Sequence, residues 1–218
     1  MRTITYCAST DPLDDPYVYS EAYRTMPAYR REKIDAFVFP EGKKLSMGAE
    51  LLLRKAVSDL GGEMGEVRTG QYGKPEFIGS DIRFNLSHSG NRVMCSVSDD
   101  DVGCDVEKVG PIDLKIAKNY FFETEFEAID SAPEELRCDM FYRFWTLKES
   151  FMKATGLGFH LPLDSFRIVL GDTIQVEQHV DGREYHLREF DLDDGYRYAC
   201  CSIRDIGPIQ KADLGSLF

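Results

Sequence analysis

Twice along the chain, helical stretches give way to a series of short strand-like runs, and that order constrains the fold more than any other feature. Thr3 to Ser9 alternates apolar and polar residues and reads as an opening strand. A helical stretch follows the turn-rich residues 11–16. From Lys44, the apolar residues Leu45, Met47, Leu51, Leu52 and Val57 fall on one helix face that Gly61-Gly62 closes. Short strands are expected at residues 66–69, 82–86, 93–98 and 102–106, the last two joined by the turn Asp99-Asp100-Asp101. The second half opens at Pro111 with helical stretches over 112–122 and 123–129, then a stronger helix from about 139 to 155 that ends at Gly156. Strand-like runs follow at 165–170, 173–177, 185–190 and 196–203. The layout predicts an α+β fold. Punctuation at Val109-Gly110-Pro111 divides it into an N-terminal half, residues 1–108, and a C-terminal half, residues 109–218, alike in layout but not in sequence.

At ~150 residues per domain, 218 residues make one large domain or two small ones packed together. A 43% hydrophobic and 12% aromatic content supplies a core and excludes wholesale disorder. With 26 Lys+Arg against 38 Asp+Glu, the net charge is −12, which leaves no diffuse basic face for nucleic acid. Any bound anion must therefore meet a local cluster of cations. No apolar run approaches the ~20 residues that span a bilayer, and the first residues show no signal-peptide core, so a cytoplasmic protein with no membrane partner is expected. The cysteines Cys7, Cys95, Cys104, Cys138, Cys200 and Cys201 form no CxxC pair, and four lie in apolar runs, which suits structural thiols in a reducing compartment.

Three segments carry chemistry. In residues 102–108 (VGCDVEK), strand alternation puts Asp105 and Glu107 on one face and Val102, Cys104 and Val106 on the other. Two neighbouring carboxylates repel unless they face bulk water or share a cation, and D-x-E alone fits a solvated strand face equally well. In residues 144–159 (FWTLKESFMKATGLGF), Glu149 and Lys153 are four apart and so are neighbours on a helix, with Trp145 one turn earlier on the same side. An exposed ion pair beside a core tryptophan would look the same. If this helix packs on the strand bearing Asp105 and Glu107, Glu149 becomes a third carboxylate at one point. That oxygen set suits Mg²⁺ and also accepts Mn²⁺, and no paired His or Cys points to zinc.

Residues 84–90 (FNLSHSG) read as a strand ending in a turn that offers Ser87, His88 and Ser89 to phosphate oxygens, although serine-rich turns with glycine are ordinary. A Ser/His hydrolase is disfavoured, because the serines adjoin the histidine in sequence and no G-x-S-x-G elbow is present. Arg30, Arg31 and Lys33 cluster ahead of a Pro-Gly turn, Lys43-Lys44 starts the next helix, and Lys74 lies in the turn Gly73-Lys74-Pro75. Lysine beside a helix N-terminus is a natural anion site, yet each of these cations alone fits a solvated surface charge.

In combination, residues 84–89, 103–107 and 145–153, with Gly156 and Gly158, resemble the motifs of the 4'-phosphopantetheinyl transferases, and their order and spacing match the larger surfactin-synthetase-activating (Sfp-type) class. Softer similarity extends over residues 30–33, 73–75 and 161–166. The resemblance implies a monomeric pseudo-dimer of two similar α+β halves, each with a small, mostly antiparallel sheet packed on helices. It implies transfer of the 4'-phosphopantetheine group from coenzyme A to a serine hydroxyl of an apo acyl or peptidyl carrier protein, releasing adenosine 3',5'-bisphosphate. Asp105, Glu107 and Glu149 then match the Mg²⁺ ligands, and Glu149 is also the candidate to accept the serine proton, directly or through a water on the metal. Lys153 and Asp105 would act at the coenzyme A pyrophosphate, with Ser87, His88 and Ser89 contacting its phosphates. Lys33, Lys44 and Arg31 would hold the 3'-phosphate, and Gly73, Lys74 and Pro75 would lie along the adenine. Lys44 stands where the family often has arginine, keeping the charge but not the bidentate fork. Leu114, Ile116, Tyr120 and Phe121 are expected to line a groove for the carrier helix. Two other readings use the same residues: a coenzyme A-binding protein with idle carboxylates, or a Mg²⁺-dependent pyrophosphate hydrolase in which water replaces the serine.

Overall fold

The computed structural model describes residues 2–218. In chain order the elements are β1 (Thr3–Ser9), α1 (Pro16–Thr25), α2 (Ala28–Ala36), α3 (Pro40–Asp59), β2 (Val67–Thr69), β3 (Pro75–Phe77), β4 (Arg83–Ser89), β5 (Arg92–Ser98) and β6 (Val102–Lys108). Then come α4 (Lys115–Tyr120), α5 (Glu123–Asp130), α6 (Glu134–Thr155), β7 (Arg167–Val169), β8 (Gln175–Glu177), β9 (His186–Phe190), β10 (Tyr196–Ser202) and β11 (Ile206–Lys211). One sheet has the order β11-β1-β5-β4, parallel only between β1 and β11. The other is antiparallel with the order β6-β10-β9, and β2-β3 and β7-β8 are separate hairpins.

The two-residue period of the strands sorts the core into layers. Tyr6 and Ala8 of β1, Phe84 of β4 and Val93, Cys95 and Val97 of β5 pack under α3 with Met47, Leu51 and Leu52. The alternate residues Cys7 and Met94 meet Val102, Cys104, Val106, Tyr198 and Cys200 between the two sheets. On the far side, Ala199 and Cys201 of β10 pack against Leu147 and Phe151 of α6. The outcome is a mixed α+β fold layered as helix, sheet, sheet, helix. All six cysteines are free thiols, with only Cys138 not fully buried. Among the described residues, no helix is long and apolar enough to cross a membrane.

Several boundaries differ from the pattern-based expectation. α3 begins at Pro40 rather than Lys44, because proline fits the first helical position and Glu41 favours the first turn. α6 begins at Glu134 rather than near 139, with Glu134 and Glu135 in its first turn and Gly156 in the left-handed conformation (φ 73°) just past its end. β11 (IGPIQK) was unexpected, since glycine and proline argue against a strand; it is tolerated because β11 lies at a sheet edge. β6, within residues 1–108, pairs with β10, while β11 returns to pair with β1.

One glycine sets the contact on which the site depends. A Cβ on Gly103 would overlap the Ser150 carbonyl oxygen and the Ala154 nitrogen, so β6 lies directly against the α6 backbone. Gly103→Ala must push strand and helix apart, an overpacking expected to cost about 1–3 kcal/mol. Thermal denaturation should show Tm lower by roughly 3–10 °C. An unchanged Tm would mean that the close approach is not needed.

Candidate active site

β4 has two chemical faces. Pattern alone put Ser87, His88 and Ser89 together in a turn. The structure corrects this: pairing with β5 continues to Ser89 opposite Arg92, so β4 stays extended and the histidine points away from the serines. Asn85, Ser87 and Ser89 face β6, the edge strand of the second sheet. The Cys104 N–H donates to Asn85 Oδ1 (2.9 Å), the Val106 N–H to Ser87 Oγ (3.3 Å) and the Lys108 N–H to Ser89 Oγ (3.2 Å). Side chains thus satisfy the backbone donors that an edge strand leaves open. In turn, Ser87 Oγ donates to Asp105 Oδ1 (2.8 Å) and Ser89 Oγ to Glu107 Oε2 (2.7 Å).

The close approach at Gly103 then brings Glu149 and Lys153 of α6 over the same face. Lys153 Nζ donates to Asp105 Oδ1 (2.5 Å) and to Ser87 Oγ (3.2 Å). Burial works to lower the Lys153 pKa, but Asp105 overrides it and the net shift is upward. Burial pushes the Glu149 carboxyl up to about 7, with Asp105 and Glu107 adding to the effect and Lys153 opposing it. Burial and Asp105 also raise Glu107, held back by hydrogen bonds from Ser89 and Trp145 and by Lys153. Asp105 Oδ2 and Glu149 Oε1 are buried without a hydrogen-bond partner. Among the described residues no three His, Cys, Asp or Glu side chains are gathered into a metal-holding group, and here Lys153 supplies the cation at Asp105.

The other face of β4 lines a cavity of about 410 Å³. Phe84 and Leu86 join Phe37, Val67 and Pro75 as its apolar walls, while His88, Lys33, Arg30 and Ser46 form a polar end. Burial lowers the His88 pKa, and the nearby Lys153 and Lys33 charges lower it further. Burial and the Arg30 charge likewise lower Lys33. His88 therefore lies on the cavity face of β4, close enough to Lys33 and Lys153 to feel both charges.

Of the residues expected at the nucleotide, Lys33, Pro75 and His88 line this cavity. Lys44 does not; it pairs with Asp14. Arg31 is exposed on the outer face of α2, where Arg30 and Ile34 are the buried residues. Gly73 turns the chain with φ 89°, and Lys74 Nζ donates to the carbonyls of Val102 (3.0 Å) and Ala154 (3.2 Å), tying β6 to the end of α6. Ser46 and Phe37 were missed, and Arg30 was named only as part of the basic cluster while Arg31 was assigned to the 3'-phosphate. The spacing 30, 33, 34, 37 is one helical face and would have selected Arg30 over Arg31. At the expected carrier groove, Phe121 is core, 5.4 Å from the Phe141 ring, and Leu114 and Ile116 pack on the same cluster. Tyr120, at 58% exposure, is open to a partner.

A model of the 4'-phosphopantetheinyl transferase superfamily matches residues 101–201, which span β6, α6 and β10. The 4'-phosphopantetheinyl transferase gsp of Aneurinibacillus migulanus is 37% identical over 201 residues, covering 86% of this chain and 84% of that protein. The 4'-phosphopantetheinyl transferase Sfp of Bacillus subtilis (strain 168) is 34% identical over 199 residues, covering 87% and 89%. Similarity at this level, over nearly the whole length of both relatives, places the chain in the 4'-phosphopantetheinyl transferase superfamily.

Proposed function

We propose that this chain transfers the 4'-phosphopantetheine group of coenzyme A to a serine hydroxyl of an apo acyl or peptidyl carrier protein. The observation that carries the reading is that one strand, β4, lines a cation-ended cavity with one face and holds a buried carboxylate cluster with the other. The serine oxygen bonds to the pantetheine-side phosphorus, the pyrophosphate P–O bond breaks, and adenosine 3',5'-bisphosphate leaves. Glu149, with a pKa brought near neutrality, takes the serine proton. Lys153 offsets charge on the transferring phosphate, and His88 and Lys33 hold the phosphates from the cavity side. Ser87 and Ser89 act from the seam by fixing Asp105 and Glu107.

Asp105, Glu107 and Glu149 would hold Mg²⁺, with Mn²⁺ accepted by the same oxygens. The partnerless buried Asp105 Oδ2 and Glu149 Oε1 support this, and an open set suits an ion that keeps waters and substrate oxygens. When bound, the ion supplies charge neutralisation to the pyrophosphate. Leaving those oxygens buried and unpaired would be a needless cost in a protein that only bound coenzyme A. The layers under α3 and α6 are read as two similar halves meeting near residues 109–111 within one monomeric chain, and Tyr120 is read as part of the surface that receives the carrier.

Mass spectrometry of an apo carrier incubated with the protein, coenzyme A and Mg²⁺ should show a gain of one phosphopantetheine, lost when a chelator is added. A gain that survives chelation would remove the metal from the proposal. Coenzyme A cleavage without a carrier would mark a hydrolase, and binding without any carrier modification would mark a binding protein.

A further inference from the structure

We infer that Glu50 is a positioning residue for the cationic end of the cavity: it holds the Arg30 guanidinium at the cavity wall and so sets the preference for coenzyme A over its 3'-dephospho form. The inference rests on the proposed reading that this cavity takes the nucleotide with its 3'-phosphate at the polar end.

Glu50 is a carboxylate with no exposed surface. Three donors converge on it: Tyr29 Oη (2.8 Å) and Arg30 Nε (2.9 Å) on Oε2, and Arg54 Nε (3.3 Å) on Oε1. Two of those donors, Tyr29 and Arg30, themselves line the cavity, and no carboxylate lines it. Ser46, Glu50 and Arg54 are spaced by four on α3 and form a single stripe against which α2 docks. Arg30 is 7% exposed, with one terminal nitrogen 3.5 Å from Ser46 Oγ. Binding through Nε, with Ser46 at one terminal nitrogen, locks the plane of the guanidinium and leaves the other terminal nitrogen for an anion. Removing the carboxylate leaves a buried, uncompensated guanidinium, which must turn toward water and away from the wall. Glu50 cannot touch a phosphate itself. Its effect passes through Arg30, and its single negative charge against Arg30 and Arg54 leaves that group with one net positive charge.

The test measures KM and kcat for coenzyme A and for 3'-dephospho-coenzyme A in the wild type, Glu50→Gln, Arg30→Gln and the double variant. The wild type should prefer coenzyme A. Glu50→Gln should raise KM for coenzyme A about tenfold or more, leave kcat and the dephospho substrate unchanged, and have no further effect once Arg30 is replaced. Glu50→Asp keeps the charge but withdraws it by one methylene; it should give an intermediate rise and serves if Glu50→Gln folds poorly. A wild type without preference would overturn the nucleotide reading of the cavity and this proposal with it. A preference undiminished in both Glu50→Gln and Glu50→Asp, or an equal loss on both substrates, would overturn the positioning role alone.

Discussion

Glu149→Gln is expected to lower kcat for carrier modification by about 10²–10⁴-fold, the range for loss of a general base, while making the protein more stable at pH 8. Both effects follow from one crowded geometry. Asp105, Glu107 and Glu149 share one face with a single ammonium, Lys153, and burial holds the Glu149 pKa at about 7 against an ordinary 4.5. A carboxyl with a raised folded-state pKa binds its proton more tightly in the native than in the unfolded chain. Stability is therefore fully present below about 4.5 and is lost as pH rises through about 7, by on the order of 1–3 kcal/mol. Glutamine is neutral throughout and escapes that loss. With chelator present, Glu149→Gln should match the wild type in Tm at pH 4.5 and exceed it at pH 8. Retention of transfer by the variant would show that this carboxylate is not the base, and a lower Tm than the wild type at pH 8 would show that it is not strained.

The carboxylate face was legible because it needs only local periodicity. Alternation placed Asp105 and Glu107 together, the i,i+4 rule placed Glu149 beside Lys153, and only the packing of α6 on β6 had to be supposed. Gly103 is the residue that makes this packing possible, but no pattern reveals what a glycine will touch. The cavity was less legible. Arg31 and Lys44 came from the family resemblance, and local pattern does not show that helical phase turns Arg30 rather than Arg31 inward on α2 or that Asp14 pairs with Lys44 from a distant turn. Ser87 and Ser89 were misread for a related reason. Applied to residues 84–89, the rule used for Asp105 and Glu107 separates His88 from both serines, and a seryl-glycine sequence disguised the strand as a turn. β11 depends on pairing with a strand at the other end of the chain, which local pattern cannot show.

Lys148→Met is expected to destabilise the fold by about 3–5 kcal/mol, because it strips a buried carboxylate of its counterion. Lys148 lies one residue from Glu149 in the same motif, yet five residues of helix turn it to the opposite side from Lys153. Its ammonium has no exposed surface; it donates to Glu125 Oε1 (2.7 Å) and the Phe166 carbonyl (2.9 Å) and lies 4.2 Å from the Phe166 ring. Burial pulls its pKa down to about 8, with Glu125 opposing the shift. Glu125 in turn accepts the Ile168 N–H (2.6 Å) and the Phe122 N–H (3.0 Å), so this one pair fastens α5, α6 and β7 together. Adding Glu125→Gln to Lys148→Met removes the orphaned charge while keeping an amide oxygen for one of those two donors, and should recover part of the lost stability. Urea denaturation of the wild type, both single variants and the double variant would measure the coupling. A Lys148→Met protein of unchanged stability but without transfer activity would instead place this lysine among the groups that act on the substrate.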